Sequence, residues 1–107
     1  MTHVVHNAWK VNFNLSLTSF ETQIAGTRKL IDFSLIAKHL PKLLFTSSVS
    51  VAHGLDPRLG HVPETPLQDA SAAIGSGYAS SKYVVEQVST DIFDLCRNFN
   101  IFTVDCR

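Results

Sequence analysis

Lys42-Leu43-Leu44-Phe45-Thr46-Ser47, bounded by Pro41 on one side and by Ser48-Val49-Ser50 on the other, is the stretch whose reading decides the fold. A short apolar run closed by turn formers is the signature of a strand buried on both faces. Strands of that kind belong to parallel sheets, whose neighbours are reached only through long crossovers. Helices are therefore expected on both sides of it in sequence.

Upstream, Thr18-Ser19-Phe20-Glu21 sets a hydroxyl N-cap three residues before a carboxylate, a capping box that predicts a helix start. Phe20, Ile24, Ile31 and Leu35 then recur at helical spacing to about Leu40, and Pro41 ends the run. Gly26 inside it suggests a close approach of this helix to its sheet. Downstream, a second helix is expected from about Tyr78 to Arg97. Val84, Val85, Val88, Ile92, Leu95 and Cys96 form its buried side, with Glu86, Ser89 and Asp91 turned outward.

Two further strands flank this unit. Thr2-His3-Val4-Val5-His6-Asn7-Ala8 opens the chain with a β-branched run, and Ile101-Phe102-Thr103-Val104-Asp105-Cys106 follows the second helix. The order strand, helix, strand, helix, strand, with right-handed crossovers, gives three neighbouring parallel strands with helices packed on the faces. The fold class is α/β, a C-terminal half of a doubly wound parallel sheet. No Gly-x-Gly-x-x-Gly occurs, so the half that binds a pyrophosphate is expected to be missing. The first strand has neither turn nor cap before it, so the chain is expected to be a piece of a longer one.

The second helix carries the chemistry. In Gly75-Ser76-Gly77-Tyr78-Ala79-Ser80-Ser81-Lys82, Tyr78 and Lys82 stand four apart and share one helix face. A neighbouring ammonium favours the phenolate and makes the phenol a better proton donor. Ser47, Ser48 and Ser50 fall at the carboxyl end of the central strand, where open parallel sheets bind ligands. A hydroxyl there can stabilise the negative charge that develops on a carbonyl oxygen when hydride attacks its carbon. Serine, tyrosine and lysine together make a carbonyl-reducing site. The bland alternative is that Tyr78 packs at a helix start, Lys82 is solvated, and the serines satisfy turn backbone. The segment from His53 to Gly77 holds three of the four prolines, and reads as a long irregular loop.

Other classes find little support. Formal charge is zero, with Lys and Arg scattered, so no basic stripe invites nucleic acid or an anionic membrane. No apolar run is long enough for a membrane span, and the N-terminus lacks the build of a signal peptide, which suits a cytoplasmic protein. His3 and His6 are three apart on a strand and point to opposite faces, and His39, His53 and His61 show no ligand spacing, so no metal is expected. Cys96 and Cys106 lack a Cys-x-x-Cys arrangement and read as reduced, buried small hydrophobes.

The pieces resemble an extended short-chain dehydrogenase/reductase. The likeness is carried by His6-Asn7-Ala8 after a strand, Gly26-Thr27 in the next helix, Phe45-Thr46-Ser47-Ser48-Val49 closing a strand, and the Tyr78-x-x-x-Lys82 pair. Thr2 to Trp9 and Gly75 to Glu86 look most like the terminal thioester reductase domain of fungal adenylate-forming carboxylate reductases, which are related to nonribosomal peptide synthetases. The resemblance implies a Rossmann-type NAD(P)-binding domain. Residues 1–107 would then lack its glycine-rich N-terminal half and its C-terminal substrate portion.

It implies that Ser48, Tyr78 and Lys82 are catalytic, with Tyr78 the proton donor and Lys82 also holding the nicotinamide ribose. His6, Asn7 and Ala8 would line the cofactor cleft, largely through backbone. The implied reaction is hydride transfer from NADPH to an acyl group on a carrier domain's phosphopantetheine arm, normally in the same polypeptide, releasing an aldehyde and a thiol. NAD in place of NADP stays open. Two other readings also stand: a sugar-nucleotide epimerase or hydroxysteroid-type dehydrogenase of the same superfamily, and a non-catalytic remnant or interaction module.

Overall fold

The computed structural model describes residues 2–39, 41–52, 54–55, 58, 60, 67, 69–95 and 101–106. Strand β1 (His3–His6), helix α1 (Glu21–Ile36), strand β2 (Lys42–Ser48), helix α2 (Gly77–Leu95) and strand β3 (Ile101–Cys106) follow one another in the expected order. The sheet runs β1-β2-β3 with both pairings parallel, His3 beside Lys42 and Leu43 beside Ile101. The apolar run at 42–48 is the central strand.

Along β2, Leu43, Phe45 and Ser47 are buried while Leu44, Thr46 and Ser48 are only half-buried. Period-two alternation explains this, because successive side chains leave opposite faces. Leu43 joins Ile31 of α1 and Ile92 of α2 in one cluster, with Val4 of β1 packed against it. Both helices therefore lie on the Leu43 face, which corrects the expectation of helices on two faces. The strand order advances in one direction, and two right-handed crossovers that advance the same way must pass over the same side. Val5, on the other face, stays 65% exposed.

Thr18 does not cap a helix: Leu17–Phe20 is a 3-10 turn after Ser16, and α1 begins at Glu21 without a side-chain cap. The three hydroxyls bond one another instead, Ser16 Oγ lying 2.9 Å from Thr18 Oγ1 and 3.4 Å from Ser19 Oγ. At the other end α1 stops at Ile36, where Ala37 turns extended, short of the expected Leu40, which lies outside the described residues. Gly26 marks no close approach, since a Cβ there would meet nothing within 4 Å.

The tightest glycine approach among the described residues is at Gly77. A Cβ on that residue would sit 2.3 Å from Leu15 O and 2.4 Å from Ser16 C, so the segment before α1 crosses directly over the first turn of α2. Phe20, fully buried, anchors the same crossing.

On α2, Val85 and Ile92 are buried as expected, and Asp91 is exposed. Glu86 and Ser89 are not turned outward: they are 8% and 3% exposed, and Ser89 Oγ has no hydrogen-bond partner among the described residues. Polarity alone misplaces them, because both fall on the face that the helix period turns toward β2. The expected side chains of Leu95, Cys96 and Cys106, with Arg97, His53 and His61, lie outside what is described. Among the described residues the loop after β2 carries 3-10 turns at Val49–Ala52 and Ala70–Ala73, which pack together around Val51, Ala52, Leu67, Ala72 and Ala73.

Candidate active site

Tyr78 and Lys82 share one face of α2, as their spacing requires, and both are buried. The Lys82 ammonium donates to Thr46 O at 2.7 Å, reaching the carboxyl end of β2. It also lies 4.5 Å from the Trp9 ring centroid, 4.7 Å from that of Phe45 and 5.9 Å from that of Tyr78. An ammonium over aromatic faces is attracted by their quadrupoles, and more strongly where water is excluded. The charge is thus held in place by a carbonyl and a box of rings.

Tyr78 is set from the other side. Its ring lies 4.9 Å from Phe13 and 6.1 Å from Phe20. Its hydroxyl takes no hydrogen-bond partner among the described residues. Ser48, at the last position of β2, accepts two hydrogen bonds from Ser50, one from N–H at 3.2 Å and one from Oγ at 3.0 Å. A hydroxyl that accepts twice keeps its own proton available for donation. The structure brings Tyr78 and Lys82 together; Ser48 bonds to Ser50, and lies two residues along β2 from the Thr46 carbonyl that Lys82 holds.

His6 ends β1 beside Phe45 of β2, so the two strand ends share one rim of the sheet. Its Nε2 lies 2.9 Å from Thr27 Oγ1, which itself donates to Gln23 O. Thr27 has spent its only proton, so the imidazole carries its hydrogen on Nε2 and donates. Asn7 and Ala8, which follow, are exposed on the same rim. Among the described residues no cluster of His, Cys, Asp or Glu could hold a metal ion.

Burial, and secondly the Lys82 charge, push the His6 imidazole below its ordinary value of 6.5. The folded protein then binds this proton less readily than the unfolded chain, so stability is full above 6.5 and is lost as pH falls through the lowered value. Urea midpoints measured from neutral to mildly acidic pH should decline in the parent. His6→Gln, which keeps a donor for Thr27 and cannot titrate, should flatten that decline.

Trp9 is the site residue the sequence reading missed. Its Nε1 donates to Ser81 Oγ at 3.2 Å, and its ring packs edge-on against His6 and Phe45. Ser81 in turn donates to Tyr78 O at 2.7 Å. A lone tryptophan one residue past a strand-end segment was the available signal.

A parallel α/β sheet with a Tyr-x-x-x-Lys pair docked at the carboxyl end of its central strand defines a Rossmann-type NAD(P)-binding unit. The chain belongs to the NAD-binding family described as Male sterility protein, whose profile matches residues 1–102. It is 46% identical over 92 residues to adenylate-forming reductase Nps9 of Serpula lacrymans, covering 84% of this chain and 8% of that protein. It is 50% identical over 88 residues to Nps11 of the same species, covering 79% and 8%. With a carboxylic acid reductase of Neurospora crassa, identity is 43% over 91 residues, covering 85% and 8%. The chain therefore spans a small part of the length of these relatives. No helix among the described residues is long and apolar enough to cross a membrane.

Proposed function

We propose that this chain supplies the Ser48, Tyr78 and Lys82 corner of an NADPH-dependent reductase acting on carrier-bound acyl thioesters. Residues 1–107 form part of its Rossmann-type domain, and the acyl group arrives on a phosphopantetheine arm. The observation that carries the reading is the tether from Lys82 to Thr46 O, which docks the Tyr78 face of α2 onto the strand end that bears Ser48. The names of the relatives, adenylate-forming reductase and carboxylic acid reductase, support the substrate class.

The residues suit the nicotinamide end of a dinucleotide: a buried ammonium bonded to Thr46 O, a phenol without a partner among the described residues one turn before it, and a serine with a donatable proton at the end of the same strand, whose neighbour strand ends in His6. NADPH, when bound, would supply the hydride and leave as NADP. Tyr78 gives its proton to the carbonyl oxygen of the thioester. Ser48 hydrogen-bonds that oxygen as charge builds on it, and the Lys82 charge favours the departing phenolate. Collapse of the tetrahedral carbon expels the thiol and leaves an aldehyde.

The test is stoichiometry in the full-length gene product given an acyl-pantetheine thioester. One NADPH consumed with one aldehyde and one thiol released is expected. Epimerised sugar nucleotide or oxidised hydroxysteroid, with the thioester untouched, would move the chain to a sister activity. NADPH neither bound nor consumed would make it a non-catalytic module.

A further inference from the structure

Glu86 stands one helical turn beyond Lys82 and two beyond Tyr78, in the same row of α2, yet nothing in the proposed chemistry uses it. It is buried, and it accepts a hydrogen bond from the hydroxyl of Ser47, which is buried too. A carboxylate taken out of water is costly unless well bonded, and an apolar residue would fill such a place with less penalty.

We infer that Ser47 and Glu86 are a positioning pair for the reductase site, an inference that rests on the function proposed above. Two consecutive residues of β2 are fastened to α2 by charge-assisted bonds: Thr46 through its carbonyl to Lys82, and Ser47 through its hydroxyl to Glu86. The next residue is Ser48. Alternation turns Ser47 toward the helices and Ser48 away from them, and among the described residues Ser48 makes its hydrogen bonds to Ser50 rather than to α2. Its place relative to Tyr78 is fixed through the two residues before it, and releasing Ser47 lets the strand end slide along the helix.

The experiment is steady-state kinetics of the full-length gene product with acyl-pantetheine thioester, using NADPH and its 4-deuterated form. Ser47→Ala and Glu86→Ala should each lower kcat by about tenfold, because small misplacements of reacting groups are expensive. The KM for NADPH should hold within about twofold and the deuterium isotope effect on kcat should rise, since hydride transfer becomes slower relative to other steps. Combining the two should cost no more than either alone. Glu86→Gln keeps an acceptor and Ser47→Thr keeps a donor, and both should recover most of the loss. If Glu86→Ala does not fold, Ser47→Ala against Ser47→Thr makes the same comparison.

Variants that melt earlier but keep the parent kcat and isotope effect would reduce the pair to a structural contact. Glu86→Gln as damaging as Glu86→Ala would overturn it as well. Tyr78→Phe measured alongside separates the two levels. Loss with Tyr78→Phe but not with Ser47→Ala removes only the pair's role, whereas an unimpaired Tyr78→Phe removes the reductase reading beneath it.

Discussion

Tyr78→Phe is expected to lower kcat for thioester reduction by about 10²-fold or more, the usual contribution of a positioned proton donor. Folding should barely change. The phenylalanine ring fills the same space between Phe13 and Phe20, and the lost hydroxyl has no partner among the described residues. The discriminating measurement is therefore a rate beside a melting curve. A Tyr78→Phe protein with parent-like Tm and a rate within about threefold of the parent would strip Tyr78 of its role as acid.

Gly77→Ala should be strongly destabilising. The new methyl would lie 2.3 Å from Leu15 O, 2.4 Å from Ser16 C and 2.6 Å from Leu17 N, all backbone atoms that cannot rotate aside. Overpacking of this kind costs roughly 3 kcal/mol, and in a domain this small each kcal/mol moves Tm by about 4–8 °C. A fall in Tm of more than about 10 °C is expected. Gly26→Ala is the matched control, because its methyl meets nothing within 4 Å and alanine is the better helix former. It should stabilise the protein by roughly 0.5–1 kcal/mol. Equal effects at the two glycines would mean that the chain before α1 does not cross α2 where the structure has it.

These two glycines also show what the sequence carries and what it withholds. The order of strands and helices was legible because burial imposes a period, and the run at 42–48 could be little else than an inner strand. Tyr78 and Lys82 were legible for the same reason, since four residues on a helix is a distance. Whether a glycine faces empty space or another backbone is a tertiary fact: Gly77 meets a segment some sixty residues earlier, roughly the separation that no local pattern reports. Glu86 was misread because a charge is assigned to water by default, although its spacing from Lys82 already placed it in line with the site. Trp9 carries no local sign of its role, because its partners Ser81 and Lys82 lie far along the chain.

The strand order has a kinetic corollary. His3 finds its neighbour in Lys42 and Leu43 finds its neighbour in Ile101, so the two ladders close loops of roughly forty and roughly sixty residues before a single inter-strand bond rewards them. Among the described residues, neither hairpin nor any other short-range strand pairing is available to nucleate the sheet. Refolding should accordingly be slow for the chain's size, with helix signal by far-UV circular dichroism recovering ahead of the burial of Trp9 against Phe45, which its fluorescence would time.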